Sequence, residues 1–250
     1  MKMLPSDPDM ADRVLIDIGR EAFKHSRELL RAARLLLDAG IWSVAYANAA
    51  LALEELGKAT LCTSVLPLPD EQRKAEMDAF PDRFTSHEAK SFCAFLVLRM
   101  VEDHPHADWA QIYKNAERDA KRTNKNKFRG LYVDYKNTGH LLKPTDITKD
   151  QAGELIATAE KVLELAKEAE ESLDNMEVNL PVLRQFRSLL EEHCTSEESM
   201  SELLSNIITF AREDAPSREQ LRGTPLGAVL ETMGLFETEP RVAALEGEQL

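Results

Sequence analysis

Between Ile41 and Leu66 the chain carries only three charged residues, Glu54, Glu55 and Lys58. At about 100° per residue a helix here places Trp42, Ala45, Ala49, Leu53 and Leu56 on one face, while Ala47, Ala50, Leu51 and Leu61 cover the side from which Glu54 and Lys58 project. A helix that is apolar on most sides belongs inside a bundle, with other helices around it. Glu54 and Lys58 are spaced i,i+4, so their carboxylate and ammonium are expected to meet. A buried pair of this kind gains little net stability after desolvation. Its charges either orient the neighbouring helices or line a polar site.

The rest of the composition agrees with a helical protein. Ala and Leu together number 63 against 19 for Val plus Ile in 250 residues, which favours helix over sheet. Asp plus Glu outnumber Lys plus Arg by 44 to 31, a net charge of -13, so the surface as a whole repels a phosphate backbone and a nucleic-acid site must be a local patch. No apolar run reaches the roughly 18 to 20 residues that a membrane helix needs, and the opening MKMLPSDPDM has no hydrophobic signal core. A cytoplasmic protein without a membrane partner is expected. Cys62, Cys93 and Cys194 have no Cys-x-x-Cys spacing and read as buried thiols. There is no His-Glu-x-x-His, no Gly-rich phosphate loop and no Ser or Cys nucleophile motif, so neither metal nor cofactor is expected.

Along the chain, residues 1–11 read as a disordered leader. A helix from about Arg13 to Ala39 stops at Gly40, and the segment from Trp42 to about Val65 follows so closely that the two must form an antiparallel hairpin. Residues 67–84 are polar and read as loop. Thr85 with Glu88 forms a capping box for a third helix reaching Val101, and a fourth covers Ala107 to about Thr123. Periodicity breaks near Phe128, so LYVDY and HLLKP are expected as a short two-stranded excursion near 131–143. A long helix resumes at about Asp150 and ends near Met176, followed by shorter pieces at 181–193, 197–213 and 225–233. The expected organisation is a bundle over 12–178, a helical extension over 179–236 packed on it, and a frayed tail over 237–250.

His87 falls in the first turn of the third helix, where a neutral imidazole can accept a proton, and Lys90 lies one turn on. The plainer role for such a histidine is a hydrogen-bonded helix-entry residue. On the fourth helix Lys114, Arg118, Lys121 and Lys125 recur at i, i+4, i+7 and i+11, opposite Trp109, Ile112, Tyr113, Ala116 and Ala120. With Arg122 and Arg129, the stretch from Lys114 to Arg129 holds seven bases and two acids, the strongest phosphate-contacting candidate in an acidic chain. Residues 150–199 hold 13 acids against four bases and are either an intramolecular partner for that stripe or an interaction surface.

Three blocks in series, Ala49 to Lys58 (AALALEELGK), Phe84 to Lys90 (FTSHEAK) and Arg129 to Asp134 (RGLYVD), resemble the AbiV-type abortive-infection family of the HEPN superfamily in both order and spacing. The resemblance spans roughly residues 20–175. It implies an all-α, HEPN-like helical bundle, here with a small β-hairpin excursion and extra C-terminal helices. It also implies an anti-phage toxin that arrests translation or damages RNA in infected cells, and a homodimer. Many HEPN proteins are metal-independent ribonucleases that use an Arg-x4–6-His pair, in which His handles the 2′-hydroxyl proton and Arg stabilises the crowded phosphate. Arg99 to His104, Arg99 to His106 and Arg187 to His193 all satisfy that spacing; Arg99/His104, followed by Pro105, is the best placed.

Two functions follow from these residues. One is RNA cleavage, with Arg99 and His104, or else His87 with Lys90, Glu54 and Lys58, as the chemical centre, and with Lys114, Arg118, Lys121, Arg122, Lys125 and Arg129 guiding RNA. Glu55, Tyr132 and Asp134 complete the expected polar cluster around that centre. The other is a non-enzymatic effector that binds a phage or ribosomal protein through the acidic 150–199 surface and the C-terminal helices. In either case the translation machinery is a possible target and a phage protein a possible activator.

Overall fold

The computed structural model describes residues 5, 8–103, 108–135 and 141–193. Across them the protein is all-α: α1 spans Pro8–Asp38, α2 Trp42–Val65, α3 Asp70–Thr85, α4 His87–Glu102, α5 Trp109–Leu131, α6 Lys149–Leu165, α7 Lys167–Asp174 and α8 Met176–His193. Between α5 and α6 lie two two-residue strands, β1 Asp134–Tyr135 and β2 Leu141–Leu142, paired antiparallel with Asp134 opposite Leu142, and then a 3-10 turn over Pro144–Asp146. The chain divides into two compact units, Met1–Leu180 and Pro181–Leu250. Residues 181–193 of the second unit are described, as the end of α8. The pieces expected at 197–213 and 225–233, the tail, and Cys194 lie outside the described residues.

Helix α2 is the axis of the first unit. It packs against α1, α4, α5 and α6, and Ala45, Ala49, Leu53 and Leu56 on one face are as fully buried as Ala47, Ala50 and Leu61 on another. Its many alanines keep it thin, so several helices can approach at once. The turn into it is closed by Gly40 at φ 77°: Gly40 N–H donates to Leu37 O at 3.1 Å and Ile41 N–H to Leu36 O at 2.8 Å, the Schellman pattern that satisfies the last carbonyls of α1. Gly57 sits at the crossing with α4. A Cβ there would lie 1.7 Å from the Lys90 carbonyl oxygen, so only glycine allows the two backbones to meet.

Several boundaries differ from the sequence expectation. Helix α1 begins at Pro8, so residues 8–11, expected in a disordered leader, are helical, and Ala11 and Asp12 are buried. Residues 70–84, expected as loop, belong to α3. Its anchors are few: Phe80 is buried and Arg73 forms a buried ion pair with Asp12, which is too sparse a pattern to show apolar periodicity. The N-cap of α4 is Ser86, whose hydroxyl accepts from Ala89 N–H at 3.2 Å. Thr85, expected as that cap, is still in α3 and donates its hydroxyl to Pro81 O at 2.9 Å. Helix α5 runs on through Leu131, past the expected end near Thr123, which reduces the β excursion to four paired residues. The long helix expected from Asp150 is broken at Ala166 (φ -91°, ψ 3°) into α6 and α7. Of the thiols, Cys62 is buried and Cys93 half-buried, and burial pushes them up to about 12 and about 11.

Candidate functional site

Three residues after Glu54 comes Gly57, and three residues after His87 comes Lys90. Because Gly57 and Lys90 touch, Glu54 and His87 are brought together one turn earlier on their helices. Glu54 is 2% exposed, and its Oε2 lies 2.6 Å from His87 Nδ1. Its Oε1 accepts from the ammonium of Lys127, itself 2% exposed. The His87 side chain keeps 50% of its surface open, and Nε2 makes no hydrogen bond among the described residues. A buried, charge-compensated carboxylate therefore holds one ring nitrogen while the other faces outward. Such a dyad fixes the tautomer and ring orientation for proton transfer at Nε2.

The expected Glu54–Lys58 pair does not form. Lys58 Nζ donates to both oxygens of Glu55 at 2.6 Å and lies 5.5 Å from the Phe84 ring centroid. Successive residues point about 100° apart on a helix, so Glu54 turns toward α4 and α5 while Glu55 and Lys58 turn toward a cleft of about 400 Å³ shared with His25 of α1. Lys90 is buried, and burial lowers its pKa, partly offset by the field of Glu54. Among the described residues it has no carboxylate within ion-pair distance.

A sequence profile of HEPN proteins described as AbiV matches residues 14–164, more than half of the chain and all three residues of the Glu54–His87–Lys127 cluster. The chain belongs to the AbiV family. No curated protein and no solved structure matches it.

The other candidate residues of this AbiV chain are distributed as follows. Arg99 donates to Asp119 at 3.0 Å through Nε and 2.5 Å through Nη2, with Glu102 and Asp103 at 3.2 and 3.4 Å. Desolvation works against its charge, but these carboxylates prevail and raise its pKa. His104 and His106, its expected partners, lie outside the described residues. Arg118 and Arg122 each reach Asp119 Oδ1 at 3.5 Å, and Lys121 bonds Glu117 at 2.5 Å. Lys114 and Lys125 are exposed and carry no ion pair among the described residues. Arg129 bridges to Asp146 at 3.0 Å. Tyr132 is the C-cap of α5, and Asp134 opens β1.

Lys127 and Asp119 were missed as site residues, although a signal for both existed. Ile112, Ala116, Ala120 and Thr123 form the buried stripe of α5, and Asp119 and Lys127 fall on it. A charge in register with an apolar stripe requires a counter-ion, here Arg99 and Glu54.

Proposed function

We propose that this AbiV-family chain is an abortive-infection effector that cleaves RNA without a metal ion, with His87 as the proton-handling group. The reading is carried by the 2.6 Å contact of His87 Nδ1 with buried Glu54 beneath a half-open imidazole. His87 Nε2 takes the proton of a ribose 2′-hydroxyl as that oxygen attacks the adjacent phosphorus. The P–O5′ bond breaks and the leaving oxygen takes a proton from solvent, leaving a 2′,3′-cyclic phosphate and a 5′-hydroxyl. Glu54 faces the positive charge that develops on the ring, and Lys90 places a cation at the same end of α4, within the field of Glu54.

The guanidinium of Arg99 is taken up by Asp119, so it serves here to hold α4 on α5 rather than to meet a phosphate. The basic side of α5 leads to the dyad: Lys114, Lys121 and Phe128 recur at seven-residue spacing, nearly two full turns, and the Phe128 ring stands edge-on to His87 with centroids 6.2 Å apart.

Purified protein incubated with total RNA and a chelator should fragment it, and His87→Ala should lower the rate by at least the roughly 10²-fold associated with a general base. Intact RNA alongside arrested translation would overturn the reading and favour an effector that acts by binding a protein.

A further inference from the structure

From His87 two aromatic rings step outward along the end of α5. Phe128 is 44% exposed and Tyr132 59%. Their centroids are 6.4 Å apart with planes 22° from parallel. The Lys127 ammonium sits 4.7 Å from the Phe128 centroid, and Lys114 and Lys125, which carry no ion pair among the described residues, lie on the same helix. Large rings with about half of their surface left in water at a helix end add little to a core, whereas rings beside a row of cations suit a ligand that is both flat and anionic.

We propose that Phe128 and Tyr132 form a stacking ledge for an unpaired base of single-stranded RNA, which seats the neighbouring ribose and phosphate at His87. This rests on the reading of the chain as an RNA-cleaving protein and adds the form of the substrate. A base inside a duplex offers no free face to a protein ring, so the ledge selects loops, bulges and unstructured strands. Stacking accepts any base, so the selection is for strandedness rather than sequence.

The test uses the full chain carrying His87→Ala, which binds without cutting, and a fluorescent adenine-rich oligoribonucleotide, alone or annealed to its complement. Tyr132→Ala should weaken binding of the single strand by about tenfold, a typical loss for one stacked base, while Tyr132→Phe restores it and duplex binding stays unchanged. Equal weakening of single strand and duplex, no effect of Tyr132→Ala, or an effect confined to capture of a purified protein partner would each overturn the ledge. Cleavage lost in His87→Ala with unaltered Tyr132→Ala binding would leave the cleavage reading standing without the ledge. Binding that depends on Tyr132, in a protein that leaves RNA intact with or without His87, would do the reverse.

Discussion

Glu54 and Lys127 bury opposite charges about as completely as their neighbours bury methyl groups, so each is tolerable only while the other is present. Removing one partner of a buried pair typically costs about 3–5 kcal/mol because it strands the other charge. Lys127→Met should therefore lower unfolding stability in urea by about that much, and Glu54→Gln added to it should recover part of the loss, since no buried carboxylate is then left without its cation. Two losses that simply add would mean the side chains act independently. Half of this pair was legible in the sequence: three charges in an otherwise apolar segment single out Glu54. Its partner was misassigned because Lys58, four residues away, offers the nearest ammonium by helical spacing. The choice is made by direction: Glu54 faces α5, where Lys127 interrupts an apolar stripe 73 positions along the chain.

The site depends on how close α2 and α4 can come. Gly57→Ala would set a Cβ 1.7 Å from the Lys90 carbonyl oxygen, which backbone cannot yield without moving the helix. Overpacking of this kind costs about 1–3 kcal/mol, more than the roughly 1 kcal/mol that alanine gains over glycine within a helix. Gly57→Ala should lower the thermal midpoint and, by separating Glu54 from His87, reduce RNA cleavage as well. Gly153 of α6, with nothing within 4 Å of its would-be Cβ, is the control, and Gly153→Ala should raise the midpoint. A neutral Gly57→Ala would mean that α2 and α4 meet less closely than this. The α1–α2 hairpin was readable because Gly40 and the apolar run are local signals. Helix α3 was not, because its anchors Arg73 and Phe80 acquire meaning only against Asp12 of α1 and the rest of the core, and α5 was cut short because helical periodicity breaks near Phe128, where Leu131 and Val133 alternate with polar or amphipathic neighbours and suggest a strand, although the helix continues to its cap.

A chain of net charge -13 can meet RNA only if its acids are kept away from the basic side of α5, and the packing of α6 and α7 does this. Arg27 binds Glu170, Arg34 Nε reaches Glu160 at 2.7 Å, and Arg20 Nε donates to Leu173 O at 2.9 Å, while Lys161 binds Glu102 of α4 at 2.5 Å. The acids of α6 and α7 that pair are thus matched by α1, while Lys161 of α6 takes up an acid of α4. Among the described residues no acid of α6 or α7 pairs with Lys114, Arg118, Lys121, Arg122 or Lys125, whose carboxylate partners there are Glu117 and Asp119 of α5 itself. If Lys114 and Lys125 each displace a counter-ion from a single strand, their joint replacement by Gln should make the dependence of log affinity on log salt shallower by about 1.4, at about 0.7 per phosphate contact. Arg34→Gln removes an exposed bridge on the opposite charge system, so stability should change by no more than about 1 kcal/mol with the salt slope unaltered. An identical slope in wild type and in the Lys114→Gln/Lys125→Gln protein would remove the stripe from the RNA path. A slope that shifts with Arg34→Gln would show instead that the two charge systems are not separated by the fold.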